Sequence, residues 1–77
     1  MLRRLSFVKR RDLVAKIKAA AATAGLSWEV DREGGNHTVF SLDGLRIPIP
    51  SHSNIDEDLS RLILKECQPK LGERWWE

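Results

Sequence analysis

Residues 37–50 have the sequence HTVFSLDGLRIPIP, in which two alternating apolar segments flank Asp43-Gly44. Asp-Gly favours a two-residue type I′ turn, so this stretch predicts a β-hairpin. The turn places apolar side chains opposite one another on one face: Leu42 with Leu45, Phe40 with Ile47, and Thr38 with Ile49. A slip of one residue would move this whole set into water, so the apolar pattern specifies the register.

The other face of the hairpin is predicted to be open to solvent, and it carries His37, Val39, Ser41, Arg46 and Pro48. Pro48 and Pro50 have no backbone N–H groups and lie two residues apart, which a sheet tolerates only on an outer strand. Residues 45–50 are therefore predicted to form an edge strand, and residues 37–42 the central strand.

The segments before the hairpin predict a helix and a further strand. Apolar side chains recur at helical spacing over residues 9–24, and Gly25 is a natural C-terminal cap. Apolar and polar residues alternate over residues 26–31, which is typical of a half-buried strand. For Trp28 and Val30 to face the core, the loop after this strand must hold an odd number of residues.

A second helix is predicted after residues 51–54, where Asn54 and Glu57 would form a capping box. Pro69 would end it. The expected buried residues of this helix are Ile55, Leu59, Leu62, Ile63 and Cys67.

This order of elements predicts an α+β domain with the order α-β-β-β-α, in which two helices cover one face of a three-stranded antiparallel meander. Residues 1–77 are expected to form a single domain, with its core over about residues 9–66 and a C-terminal tail over residues 67–77. Trp75-Trp76 in the tail would either dock onto the domain or contact a partner.

The charge of the chain is unevenly distributed. Residues 1–18 carry seven basic side chains and one acidic, whereas the remainder carries six basic and ten acidic. A basic end on a small domain is typical of a phosphate-binding surface, and the alternative is a solvated first turn of a helix.

The composition also indicates the cellular compartment in which we expect the protein. Cys67 is the only cysteine, which excludes an intrachain disulfide and suits a reducing compartment. No apolar run reaches the length of a signal peptide or a membrane helix. We therefore expect a soluble cytoplasmic protein.

The candidate for chemistry is His37, because an imidazole exchanges protons near neutral pH. Two histidines and one cysteine do not reach the number or spacing of zinc ligands, and no serine lies in a nucleophile elbow. Gly34 and Gly35 leave room for a bulky substrate, and Arg46 lies on the same face, two strand positions away.

Together with the basic helix start, these features suit RNA. The 2′-OH of RNA can act as the nucleophile, so the protein needs only proton transfer and charge stabilisation. Neither a metal nor another cofactor is expected. The candidate RNA-binding residues are Lys9, Arg10, Arg11, Gly34, Gly35, Asn36 and Arg46.

Over about residues 9–66 the chain resembles the HicA toxins of type II toxin–antitoxin modules. The resemblance comes from an ordered set of segments, namely Lys9-Arg10-Arg11-Asp12-Leu13, a helix ending in Gly25, Gly35-Asn36-His37-Thr38-Val39-Phe40, Ile47-Pro48-Ile49-Pro50-Ser51-His52, and Ile55 to Lys65. Asn36 stands where the family more commonly has serine. Asp56-Glu57-Asp58 replaces a frequent Gly-Thr and would repel phosphate.

The resemblance implies a fold like that of double-stranded RNA-binding domains (dsRBD-like) and ribonuclease activity on mRNA. It also implies neutralisation by a HicB-type antitoxin that covers the active face, so that DNA is contacted only indirectly, through the antitoxin. His37 aligns with the catalytic histidine of the family, and we interpret His52 mainly as a helix-entry residue. Two alternatives are a non-catalytic RNA-binding module and an interaction subunit of the same fold.

Overall fold

The computed structural model describes residues 6–77 and shows an α+β fold with a three-stranded antiparallel sheet. Arg3 and Arg4, which belong to the basic start, lie outside the described residues. The elements are β1 (Phe7–Lys9), α1 (Arg10–Ala24), β2 (Trp28–Glu33), β3 (His37–Leu42), β4 (Leu45–Pro50), β5 (Asn54–Asp56), α2 (Glu57–Glu66) and α3 (Gln68–Leu71). Strands β2, β3 and β4 form the meander, with β3 in the centre, while β1 and β5 pair as a separate antiparallel ribbon.

The β3–β4 hairpin has the predicted register. The opposed pairs are Leu42 with Leu45, Phe40 with Ile47, and Thr38 with Ile49. Asp43 and Gly44 have φ angles of 50° and 88°, as a type I′ turn requires at both central positions. The strand that contains both prolines lies at the edge of the sheet, as the missing donors predict.

Helices α1 and α2 pack against the apolar face of this sheet and enclose one core with it. Gly25 ends α1 in the left-handed region, with φ of 72°. The fully buried large side chains are Ile17, Leu42, Ile47, Ile49, Ile55, Ile63 and Cys67. Within residues 6–77, no helix is long and apolar enough to cross a membrane.

The predicted start of the second helix is wrong. Asn54 belongs to β5, which pairs with β1, so the helix begins after Asp56. The Asp56 carboxylate accepts the backbone N–H groups of Asp58 and Leu59, at 3.0 and 3.4 Å. Asp56 is therefore the cap that the sequence analysis assigned to Asn54.

The later start also changes which side of the helix is buried. Leu59 and Leu62, which were expected inside, are 40% and 55% exposed. Ile55 is already buried from β5, and the helix beyond it turns Ser60, Ile63, Leu64 and Cys67 toward the core. These four residues have the spacing of one helical face.

Strand β2 begins as predicted. Trp28 lies opposite Leu42 and Val30 opposite Phe40, so both residues share the face that packs on the helices. Trp28 stacks on Phe40 with ring centroids 4.6 Å apart. Val30, by contrast, remains 54% exposed because it lies at the free edge of the sheet, so its expected burial is wrong.

A β-bulge interrupts β2 after Val30, and strict alternation does not predict it. Beyond the bulge, Arg32 lies opposite Val39 and Glu33 opposite Thr38. Asp31 is the extra residue, so the side chains that follow it point to the faces opposite those expected from alternation.

The C-terminal tail docks onto its own domain. The indole Nε1 of Trp75 donates a hydrogen bond of 2.8 Å to the Leu64 carbonyl at the end of α2. Trp76 meets Trp75 edge to face, with centroids 6.0 Å apart, and both are half-buried against the core. Of the two expectations for this pair, docking onto the domain is the one that the contacts support.

We expect the thiol of Cys67 to be unreactive in the folded protein. Cys67 is fully buried, and its Sγ donates a weak 3.4 Å hydrogen bond to the Ile63 carbonyl. Burial, and then the charge of Glu66, raises the pKa of this thiol to about 12. Because the thiolate is the reactive form, a thiol reagent such as DTNB should label the denatured chain but not the native one. Rapid labelling of native protein would contradict this burial.

The same raised pKa makes stability depend on alkaline pH. The folded chain keeps the Cys67 proton while the unfolded chain, with a pKa near 9.0, releases it. The stabilising contribution is therefore complete below about pH 9 and is lost as the pH rises toward 12. Cys67→Ala should lower the free energy of unfolding at neutral pH but make it fall less steeply over this alkaline range.

Candidate functional site

His37 is the first residue of β3 and lies on the open face of the sheet. The residue after it, Thr38, points into the core, so strand alternation directs the imidazole outward, where it is exposed. Within the described part of the chain, no side chain bonds to this imidazole. The predicted outward orientation is confirmed.

The glycines before His37 form a tight loop. The Gly34 N–H donates to the His37 carbonyl at 2.8 Å, and a Cβ on Gly34 would stand only 3.1 Å from that oxygen. A Cβ on Gly35 would meet nothing within 4 Å, so one side of this loop is open. Gly34 thus has a structural reason to be glycine, while contact of either glycine with RNA stays a prediction.

The loop between β4 and β5 connects this hairpin end to the start of α1. The Ser51 N–H donates to the Asn36 carbonyl at 2.9 Å, and the Arg10 N–H donates to the Ser53 carbonyl at 2.8 Å. Beside this connection lies a cleft of about 430 Å³, lined by cations and small polar side chains: Lys9, Arg10, Arg11, Ser51, Ser53 and Asn54. The structure therefore brings the basic start of α1 next to the end of the sheet that carries His37.

The guanidinium of Arg10 is engaged inside the protein. Its Nε donates to the Pro50 carbonyl at 2.9 Å, and its Nη2 donates to Thr38 Oγ1 at 3.0 Å. Thr38 Oγ1 donates in turn to Glu33 Oε1 at 2.9 Å, and the guanidinium carbon lies 5.8 Å from the centroid of the Phe40 ring. We call this set of contacts the Arg10 clamp, because it ties the first turn of α1 to β2, β3 and β4.

Lys9 and Arg11 differ from Arg10 in that both are exposed at the cleft. Arg11 makes only a loose ion pair with Asp12, at 3.9 Å, between two well-exposed side chains. Such pairs are weak in water. As far as residues 6–77 show, Lys9 and Arg11 are therefore the cations of the cleft that are free to meet an anion, whereas a phosphate contact by Arg10 stays a prediction.

Arg46 lies on the open face, as predicted, but at a distance from His37. It stands opposite Ser41, four residues along β3 from His37, which at the usual rise per residue is about 13 Å. Its Nε is 3.4 Å from the Asp31 carboxylate. The open face thus holds both residues without bringing them into contact.

Arg32 is a residue of this face that the sequence analysis did not identify. The bulge places it opposite Val39, whose neighbour on the same face of β3 is His37. Strict alternation would have put Arg32 on the core side, and nothing in the composition of β2 signals the bulge. The position of the Arg32 side chain on the open face is therefore evident only from the structure.

The acidic start of α2 is largely occupied by local contacts. Asp56 caps the helix, and the Glu57 carboxylate lies 3.5 Å from the Arg61 guanidinium. Both negative charges therefore interact with groups of α2 itself. His52 is exposed in the loop before β5, and it is not among the residues that line the cleft.

An exposed imidazole can transfer a proton while cations hold an anionic substrate. His37 does not itself line the basic cleft, which is joined to its end of the sheet through the bond from Ser51 to the Asn36 carbonyl. Among residues 6–77 there is no group of three or more His, Cys, Asp or Glu side chains that could hold a metal ion. No family model, curated protein or solved structure matches this chain.

Proposed function

We propose that this protein is a HicA-like toxin, a metal-independent endoribonuclease that cleaves mRNA in the cytoplasm with His37 as its general acid or base. The observation that carries the proposal is the exposed imidazole on the open sheet face, at the end of the hairpin. This end is joined to the basic cleft by the backbone bond from Ser51, a lining residue, to the Asn36 carbonyl. A three-stranded meander with helices on one face is compatible with the dsRBD-like fold proposed for the chain.

The proposed reaction uses a nucleophile supplied by the RNA. The 2′-oxygen loses its proton and attacks the adjacent phosphorus, so that the O2′–P bond forms and the P–O5′ bond breaks. The products are a 2′,3′-cyclic phosphate and a 5′-hydroxyl. His37 takes the proton from the 2′-oxygen or gives one to the leaving 5′-oxygen, with water carrying the other transfer. One such transfer contributes about 10²–10⁴-fold in rate.

Binding of the RNA backbone is proposed to occur in the cleft. Lys9 and Arg11 supply exposed positive charge, and the hydroxyls of Ser51 and Ser53 supply hydrogen bonds to phosphate oxygens. The open side of Gly35 lets the backbone approach the loop closely. Arg46, about 13 Å from His37 along the strand, would contact a more distant part of the same RNA.

The proposed partner is a HicB-type antitoxin that covers the open face and carries any contact with DNA. Outside the three-stranded sheet, Phe7 of β1 is 62% exposed and Leu62 of α2 is 55% exposed, and both offer apolar area to a protein partner. Apolar exposure of this kind is what protein partners bury. An interaction subunit without catalysis is the second candidate function that these side chains favour.

Incubation of the purified protein with end-labelled RNA in EDTA tests the proposal. We expect fragments that end in a 2′,3′-cyclic phosphate, and none from a matched RNA that carries 2′-O-methyl groups. Salt-dependent binding without fragments would instead identify a non-catalytic RNA-binding module. No binding even at low salt would leave the interaction subunit, and either result would overturn the ribonuclease proposal.

A further inference from the structure

We infer that Arg32, and not Arg46, is the cation that binds the phosphate in front of His37. This inference rests on the proposed function, because it names the group that would hold the scissile phosphate. It also makes a separate claim about binding, which can be tested on RNA that cannot be cleaved.

The register of β2 and β3 places Arg32 close to His37. Arg32 lies directly opposite Val39, and His37 is two residues from Val39 on the same face. Side chains in this diagonal relation have their Cβ atoms about 7–8 Å apart, which a long side chain can span. Arg46, by comparison, lies beyond Val39 in the other direction and faces Ser41.

Arg32 is also free to bind an anion. It is exposed, and among residues 6–77 no hydrogen bond or ion pair engages its side chain. Arg46 differs in this respect, because its guanidinium lies 3.4 Å from the Asp31 carboxylate. Of Arg32 and Arg46, the arginine nearer to His37 is thus the one that pairs with no carboxylate of the described residues.

The Arg10 clamp holds the bulge that orients Arg32. The register shift that turns Arg32 to the open face turns Glu33 to the face of Thr38, where its carboxylate accepts the hydrogen bond from Thr38 at 2.9 Å. Thr38 in turn accepts from Arg10 at 3.0 Å. The bonds that keep Glu33 on the inner face therefore keep Arg32 on the outer one. Bulges commonly redirect a side chain next to a functional site in this way.

The chemistry of the two side chains is complementary. In the proposed reaction, negative charge grows on the non-bridging phosphate oxygens while His37 moves a proton. An arginine fork can donate two parallel hydrogen bonds to these oxygens, which a lysine cannot reproduce. Loss of one such preorganised donor typically costs about 10²–10³-fold in kcat.

Kinetics of three variants on a cleavable RNA test this role. We expect Arg32→Ala to lower kcat by about 10²–10³-fold with a smaller change in KM, and Arg32→Lys to recover part of the loss. Arg61→Ala, which removes an exposed arginine from α2, is the matched control and should cleave like the parent protein. Wild-type kcat in Arg32→Ala, with the loss appearing in Arg46→Ala instead, would overturn the inference and leave the proposed function standing.

Binding of a dinucleoside monophosphate with a 2′-O-methyl group provides a readout that needs no cleavage. In NMR titrations, this single phosphate should shift the side-chain signals of His37 and Arg32 together, and Arg32→Ala should weaken its affinity. If the parent protein cleaves no RNA, the proposed function fails, while the titration still decides the binding claim. Unchanged affinity in Arg32→Ala would overturn the inference whether or not cleavage is observed.

Discussion

His37→Ala should abolish RNA cleavage while leaving the folded protein intact. The imidazole is the exposed proton-transfer group of the proposed site, and its removal is expected to lower the cleavage rate by at least about 10²–10⁴-fold. Because no described side chain bonds to it, the free energy of unfolding should change by less than about 0.5 kcal/mol. Single-turnover cleavage of labelled RNA measures the first effect, and urea denaturation the second.

The chain contains a matched control for this substitution. His52 is also exposed, but it lies in the loop before β5, outside the strands whose open face carries His37 and Arg32. His52→Ala should therefore cleave RNA at the parent rate, and in growing cells it should still arrest growth when induced. A His37→Ala variant that cleaves as fast as the parent protein would contradict the catalytic assignment directly.

The β3–β4 hairpin could be predicted residue by residue because several independent signals agree there. The Asp43-Gly44 turn, the alternation on both sides of it and the two prolines all specify the same register and strand order. The structure reproduces each of these pairings. Helix α1 was predicted almost as well, since its spacing and its cap at Gly25 agree.

The elements that were missed are those in which no local signal dominates. Strands β1 and β5 have only three residues each, too few to show alternation, and they exist because they pair with each other across the chain. Because of that pairing, α2 begins only after Asp56, and Leu59 and Leu62 remain exposed. Helical spacing correctly predicted that α2 has an apolar stripe. It assigned the stripe to the wrong side of the helix, because that side depends on where the helix begins.

The candidate site, too, could be predicted only in part from the sequence. The outward orientation of His37 follows from the register of the hairpin and could be predicted. The outward turn of Arg32 depends on the bulge at Asp31, which adds one residue and inverts the two side chains that follow. The internal use of Arg10 depends on acceptors in β3 and β4 that are far from it in the sequence. Charge placed Arg10 among the predicted RNA-binding residues, and the register of the hairpin placed Arg46 there, on the face that carries His37. A sequence shows that a cation exists but not whether an internal acceptor already engages it.

Arg10→Ala should destabilise the fold by about 2–4 kcal/mol, an effect unlike that of any other cation in the cleft. The substitution removes two hydrogen bonds from a charged donor and the contact with the Phe40 ring, each worth about 0.5–3 kcal/mol. It also removes the side-chain donor from the Pro50 carbonyl. Thr38, which donates to Glu33, loses the hydrogen bond that it accepts from Arg10. Urea denaturation, with the slope checked for two-state behaviour, measures the loss.

Arg11→Ala is the matched control, because it removes the neighbouring arginine, whose one ion pair among residues 6–77 is loose and exposed. It should change stability by less than about 0.5 kcal/mol and act instead on RNA binding at low salt. Arg10→Lys should remain destabilised, since one ammonium cannot reproduce the planar fork that reaches both Pro50 and Thr38. Equal stability of Arg10→Ala and Arg11→Ala would show that the Arg10 clamp does not hold the hairpin. In that case the bulge, and the outward position of Arg32 that depends on it, would need another support.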